Sequence, residues 1–365
     1  MTEHNWHMMM PFTLLSPYKR NMPLLLLRSK IALPHVRSLV KPYSTLQPTV
    51  ELFSPRDSLP EIRDKLRGLG QGTIDFVPDY QPGVGLITLN NPTRHNAMSG
   101  VMMSQLADLT DKLENEPTDL AGLIVTGAMP AKAFCAGLGK KNGWGWKFSG
   151  SWVFLTCLPT DLSTAKEYLL SPVAGVAFGR LMHDTLSRFA RLPYITVASL
   201  AYPALGGGAE ISTACDFRVL APSSRIQFLQ SRMAIAPAWG ATHRLIRLIG
   251  RSKALKYLAS SAPISPELGL HMGLVDHISQ DGPDPYSLCL EDSANMLASF
   301  VLDPKGNRVS SRALQGIKKL VAHADLGHDD IDYDMEVLSG LWGSEENLKA
   351  VLGGGQKSKS SRKES

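Results

Sequence analysis

The 365-residue chain lacks the markers of several common chemistries, and each gap removes a class of function. It has four cysteines (Cys135, Cys157, Cys215, Cys289) and no C-x-x-C pair. That spacing excludes a zinc ribbon or a thioredoxin-type centre and suits reduced, buried thiols in an intracellular protein. No apolar run approaches the roughly 18 residues of a membrane-spanning helix. Pro23-Leu24-Leu25-Leu26-Leu27 stops at once at Arg28. There is no G-x-S-x-G elbow, so a hydrolase serine is unsupported. Gly139-Lys140-Lys141 lacks both the hydroxyl residue and the first glycine of a phosphate loop. None of the ten histidines stands in H-E-x-x-H, and they read as surface or structural residues, with no metal site. Excess charge is missing from the centre as well. Residues 1–50 carry six Lys/Arg and one acid, and the last ten carry four Lys/Arg against Glu364. The formal +5 therefore belongs to the ends, and residues 51–355 sum to −3. A core of that charge excludes a nucleic-acid face.

What is present divides into four stretches. Residues 1–50 are basic, acid-poor and contain serines, which fits an organelle transit peptide or a disordered leader with no address. Residues 51–283 alternate strand and helix patterns. Leu59, Ile62 and Leu66 mark a short helix, and Gly85–Leu89, Leu123–Thr126, Ile195–Leu200, Phe217–Leu220 and Ile226–Phe228 read as strands. Between them, Met102, Leu106, Leu109 and Leu113 follow helical spacing behind a cap at Ser99 or Asn96. Residues 284–352 are helical, broken at Pro304 and Gly343, and residues 353–365 form a low-complexity, disordered tail.

The most informative stretch is Ala204-Leu205-Gly206-Gly207-Gly208-Ala209-Glu210, which closes a buried strand and leads into a helix predicted over Ile211–Cys215. Three glycines remove every Cβ, so bare backbone can approach a ligand. Their N–H groups at a helix start favour negative charge. Glu210 follows as an acid or base beside donors for a developing oxyanion, which is a catalytic arrangement.

Three further motifs stand in order with it: Thr88-Leu89-Asn90-Asn91-Pro92-Thr93-Arg94-His95-Asn96-Ala97-Met98, Lys132-Ala133-Phe134-Cys135-Ala136-Gly137-Leu138, and Ile235-Ala236-Pro237-Ala238-Trp239-Gly240 before a helix with Arg244. Together they resemble the crotonase (enoyl-CoA hydratase/isomerase) superfamily over about residues 72 to 352. The resemblance implies an α/β fold with a β-β-α spiral core and a C-terminal helical trimerisation region. It implies a homotrimer or hexamer, an acyl-CoA thioester substrate, and no cofactor beyond the CoA that the substrate carries. The family's two oxyanion N–H groups map to Leu138 and Gly207, with Glu210 as the third catalytic residue. Ala136, Gly137, Asp161, Gly206, Gly208, Arg232 and Trp239 are the matching substrate-binding positions.

Within the family the resemblance leans to members that decarboxylate ethylmalonyl- or methylmalonyl-CoA through a thioester enolate. It implies the cytosol, whereas the basic leader suits a mitochondrion. Two departures keep other readings open. A hydratase of this family carries a second glutamate four residues after Phe228, where this chain has Arg232. That residue either orients a substrate carboxylate or lies on the surface. The family's Gly-x-Asp-Leu is also interrupted after Leu138 by residues 139–160, and excising them restores Phe-Cys-Ala-Gly-Leu-Asp-Leu, with Asp161 in place. Gly139-Lys140 can be encoded as a splice donor, so the stretch reads as a retained in-frame intron or a gene-model error, with a true loop insertion as the alternative. The rivals to a decarboxylase are a hydratase or isomerase and an inactive acyl-CoA-binding isoform.

Overall fold

A computed structural model describes residues 52–116, 118–137, 171–327 and 331–352. The leader, the 139–160 interruption, the tail, and the site candidates Leu138 and Asp161 lie outside the described residues. Six strands form the main sheet in the order β1 (Thr73–Gln81), β2 (Val84–Asn90), β3 (Gly122–Gly127), β4 (Ile195–Leu200), β6 (Phe217–Leu220) and β8 (His277–Ile278). β1 and β2 are an antiparallel hairpin, and every later pairing is parallel, with Val84 opposite Gly122 and Gly122 opposite Ile195. All six residues of β3 are buried, as expected of a parallel strand covered on both faces.

The two faces have different cores because successive side chains alternate. On one face, Leu123, Val125, Ala198 and Leu200 share a core with three helices. These are α1 (Leu59–Leu66) through Ile62 and Leu66, α2 (Gly100–Asn115) through Met102, Met103 and Leu106, and α3 (Pro172–Phe189) through Leu181 and Met182. Ile124, Val197 and Val219 point the other way, onto Cys289, Ala294 and Leu297 of the helix Pro285–Val301. Ser99, rather than Asn96, caps α2 by accepting from the Met102 N–H at 3.2 Å.

A second, two-stranded sheet pairs β5 (Ala204–Leu205) with β7 (Ile226–Gln227), and it carries the glycine run. Cys135 bridges to Ala204 on one side and Ile264 to Ile226 on the other. α4 spans Gly207–Ser212, so the helix starts on the second glycine and not at Ile211 as expected. The glycines are the first turn of the helix because the backbone bond from Glu210 N–H to Gly206 O at 3.1 Å already closes it. The helical C-terminal region is present as Pro285–Val301, Ser311–Asp325, Ile331–Ser339 and Glu345–Leu352. Lys318 anchors it by an ion pair to Asp216, just beyond α4, and Gln315 Nε2 donates to Leu120 O at 2.8 Å. No helix among the described residues is long and apolar enough to cross a membrane.

Candidate functional site

The site is assembled where the sequence motifs meet around β5. Phe134–Gly137 runs alongside that strand: Phe134 N–H donates to Pro203 O at 3.1 Å and Leu205 N–H to Cys135 O at 3.0 Å. The opposite side of this segment is held by the loop after β2. Ala136 N–H donates to His95 O and Met98 N–H to Gly137 O, at 3.0 and 2.9 Å. Asn96 is fully buried at φ +55 and braces the whole loop. Its Nδ2 donates to Ala128 O and Ala133 O, and its Oδ1 accepts from Asn91 N–H. Asn tolerates the left-handed region and here uses its full amide, which explains why the loop carries Asn at this position.

Gly137 and the glycine turn then touch. At φ +72, a Cβ on Gly137 would lie 2.9 Å from Gly207 N and 2.9 Å from Leu205 O. The Gly207 N–H, first in its helix, finds no acceptor among the described residues. The adjoining glycines serve a purpose that the sequence did not reveal. A Cβ on Gly208 would collide with the Cys135 carbonyl, and one on Gly207 would lie 2.5 Å from the Trp239 ring. These two missing side chains make room for the protein itself, and of the three glycines only Gly206 has nothing described within 4 Å.

Glu210 sits two residues beyond Gly208 and is 3% exposed. Its Oε1 accepts from Gln230 Nε2 at 2.7 Å and its Oε2 from the Trp239 N–H at 2.9 Å. Burial raises its pKa, an effect only partly offset by those two donors, the Ala241 N–H and the nearby Arg244 charge. A buried carboxyl with a raised pKa beside a backbone N–H that no described group accepts can deliver or take a proton where a ligand carbonyl is held. Trp239 is therefore brought together with Gly207 and Glu210, through its ring to one and its N–H to the other. Ala136, Gly137, Gly206 and Gly208 join them. Arg232 does not meet Glu210: the 3₁₀ turn Gln230–Met233 buries Gln230 against the carboxyl and leaves Arg232 exposed.

Sequence reasoning missed Gln230 and the role of Arg244. Arg244 Nη2 donates to Trp239 O at 2.7 Å and to Glu210 O at 3.3 Å, and its Nε donates to Thr213 Oγ1 at 3.1 Å. Burial pulls its pKa down to about 10, so it stays charged at neutral pH. Arg244 thus ties the Trp239 segment to the back of the Glu210 helix. Arg244→Met leaves three acceptors without their donor and costs about 2–4 kcal/mol, at roughly 1–3 per group with partial relaxation. A lower urea midpoint at unchanged slope is the expected reading.

The three described cysteines are free and buried. Burial pushes Cys135 and Cys215 up to about 12 and Cys289 up to about 11, so none is a thiolate nucleophile at neutral pH.

Comparison with known proteins adds a family to this geometry. The family model described as enoyl-CoA hydratase/isomerase matches residues 79–180 and 177–282. The ethylmalonyl-CoA decarboxylase of Mus musculus is 36% identical over 301 residues, 82% of this chain and 83% of its own. That of Homo sapiens is 36% identical over 293 residues, 80% of this chain and 84% of its own. Among solved structures, AtuE of Pseudomonas aeruginosa superposes with a TM-score of 0.60 at 22% identity, covering 78% of this chain and 96% of its own. The enoyl-CoA hydratase of Bacillus anthracis gives 0.59 at 23%, covering 76% and 94%. The structural likeness establishes the fold.

Proposed function

The chain belongs to the enoyl-CoA hydratase/isomerase family, and from that premise we propose that it is a carboxy-lyase acting on a branched malonyl-CoA thioester. Ethylmalonyl-CoA is the first candidate, because the similar proteins of mouse and human carry that name, and methylmalonyl-CoA is the second. The observation that carries the reading is the meeting of Gly137 with the Gly207 N–H, which has no acceptor among the described residues, beside a buried, pKa-raised Glu210.

Loss of CO₂ from the malonyl carbon leaves its electron pair on the thioester as an enolate. The oxygen of that enolate is the developing charge that the Gly207 N–H stabilises, with the Leu138 N–H as its partner. Glu210, whose carboxyl burial biases toward the protonated form, then supplies the proton to the α-carbon. The thioester carbonyl is itself the electron sink, so the reaction needs no cofactor. Ala136, Gly137, Gly206 and Gly208 frame the acyl thioester, Trp239 forms the wall beside Gly207, and Asp161 is the further substrate-binding position that the family motif implies. Exposed Arg232 suits the charged rim of the substrate better than the reacting carboxylate, where firm pairing would stabilise the ground state.

Hydration is the second enzyme reading, and Arg232 at the place of a second glutamate disfavours it. An inactive acyl-CoA-binding isoform follows if residues 139–160 displace the Leu138 donor. One assay separates the three. The chain, with and without residues 139–160, is given ethylmalonyl-CoA, methylmalonyl-CoA and crotonyl-CoA. The reading requires CO₂ release from a malonyl thioester. Hydration of crotonyl-CoA without CO₂ release overturns it, and activity in the shortened chain alone identifies the full chain as the inactive isoform.

The assembly proposed is a homotrimer or a hexamer of two trimers. The C-terminal helices leave Ile317, Val321, Ile331 and Met335 exposed, and the turn before Glu345–Leu352 leaves Trp342 exposed, Ile331 at 72% and Trp342 at 76%. This many large apolar side chains left exposed in one region suit cover by a neighbouring subunit. Sedimentation equilibrium is expected to give three or six times the 39.8 kDa chain mass; a monomer removes the proposal. The proposed compartment is the cytosol, testable by imaging a carboxy-terminal fluorescent fusion, with mitochondrial import as the opposing result.

A further inference from the structure

Gln230 holds a buried polar atom that the mechanism has not used. Its side chain is 3% exposed, its Nε2 donates to Glu210 Oε1 at 2.7 Å, and its Oε1 is buried with no hydrogen-bond partner among the described residues. A buried acceptor left unmade is costly, so a site that keeps one invites a reason. The amide end of glutamine has a donor and an acceptor of nearly the same shape, interchanged by a half-turn about Cγ–Cδ. Because no described group holds the Oε1 end, that half-turn breaks no other bond. It brings Oε1 to face Glu210 Oε1, an arrangement that is favourable only when the carboxyl carries its proton.

The other groups facing Glu210 do not change with its charge. On the Trp239 segment there are backbone N–H donors of Trp239 and Ala241. From the helix Ala241–Ile249 comes Arg244, which remains a cation. The glycine helix carries no other titratable side chain, and the Phe134–Gly137 segment carries only the Cys135 thiol, which burial keeps neutral. Gln230 is the one described side-chain partner able to match either protonation state.

We infer that Gln230 is a positioning residue that follows Glu210 through its proton cycle. It donates to the carboxylate and, with its amide reversed, accepts from the carboxylic acid. The inference rests on the decarboxylase reading for its part in turnover. After CO₂ leaves, the enolate's C–C π pair forms the new C–H bond with the Glu210 proton, the Glu210 O–H bond breaks, and the thioester carbonyl is restored. Glu210, now a carboxylate, regains a donor from Gln230 at that moment, and a proton from solvent resets both groups.

The test uses the full chain, Q230M and E210Q. Methionine keeps the length of glutamine and neither donates nor accepts strongly. Q230M is expected to lower kcat for CO₂ release about tenfold, a fraction of the roughly 10²–10⁴ that a positioned acid supplies, with KM within about twofold. Infrared titration reads the carboxyl directly, the Glu210 band being the one absent from E210Q. Its midpoint is expected to rise in Q230M, because the charge-assisted bond to the carboxylate is the stronger of the two that are lost. A midpoint that does not move overturns the inference. Should Q230M fail to fold, the wild-type chain with ¹³C-labelled glutamine gives the same answer. One glutamine amide band must shift at the Glu210 midpoint and stay still in E210Q, and a set of bands that never follows it overturns the inference. If no malonyl thioester yields CO₂, the decarboxylase reading falls, and the two infrared readings still judge Gln230.

Discussion

Glu210→Gln is expected to lower turnover for CO₂ release from ethylmalonyl-CoA by about 10²–10⁴-fold, the span of a positioned general acid. The substitution keeps the shape of the side chain, replaces one carboxyl oxygen by an NH₂ donor and removes the ionisable proton. The oxygen of the introduced amide can accept from the Trp239 N–H. Its nitrogen can donate to Gln230 Oε1, which has no partner among the described residues, after reversal of the Gln230 amide. Binding of the thioester, held by backbone donors, is therefore largely kept, and the loss falls on kcat. The pH dependence has a definite sign. Protonated Glu210 is the working form, so wild-type turnover falls as pH rises through its raised pKa. In the variant that limb disappears with the acid.

Stability should move the other way. Burial raises the Glu210 pKa above its unfolded value. The native carboxyl therefore retains a proton where the unfolded one has lost it. Its favourable contribution is present below the unfolded pKa and is lost as pH rises through the folded one. The uncharged amide carries no such dependence, so Glu210→Gln gains stability relative to wild type as pH rises across that window. Urea midpoints at several pH values check it, and a variant that loses both activity and midpoint at neutral pH points to a structural role for Glu210 instead.

The sheet was legible because parallel strands buried on both faces must be nearly continuous apolar runs, and β2, β3, β4 and β6 are. β1 escaped because it is the edge of the sheet, mostly exposed or half-buried along Thr73–Gln81, and has no such run to read. The meeting of the four motifs follows from their order, since each lies at the exit of a strand or beside a helix start. Their internal supports do not. In sequence Asn96 reads as a helix cap, and its brace of Ala128 and Ala133 depends on chain segments more than thirty residues away. Gln230 gives no periodic signal because one residue of a 3₁₀ turn has no period. Arg232 draws attention through its place in a motif, while the turn directs Gln230, two residues earlier, to the carboxyl. Spacing along the chain identifies candidate chemistry, whereas the choice between neighbours on a tight turn is made by backbone direction.

Gly137→Ala is expected to lower kcat by about 10²–10³-fold, the cost of losing one oxyanion donor. Two effects combine at this position. The residue sits at φ +72, where a Cβ costs roughly 1–2 kcal/mol against its own backbone. The same Cβ falls 2.9 Å from Gly207 N and Leu205 O, both backbone atoms that cannot swing aside as a side-chain tip would. The methyl would therefore crowd the face of the Gly207 amide that a substrate oxygen needs. Gly206→Ala separates the two effects. It places a Cβ at φ +54, also strained, yet with nothing described within 4 Å. Both variants should lose stability in a denaturant titration, but the large loss of kcat should fall on Gly137→Ala, while Gly206→Ala, at a position framing the thioester, should show its change mainly in KM. Equal losses of kcat would mean that strain in the turn, and not access to the Gly207 N–H, limits the reaction. A large loss confined to Gly137→Ala would locate the enolate oxygen against the seam between the two glycine segments, because that is the one place where the added methyl meets the donor.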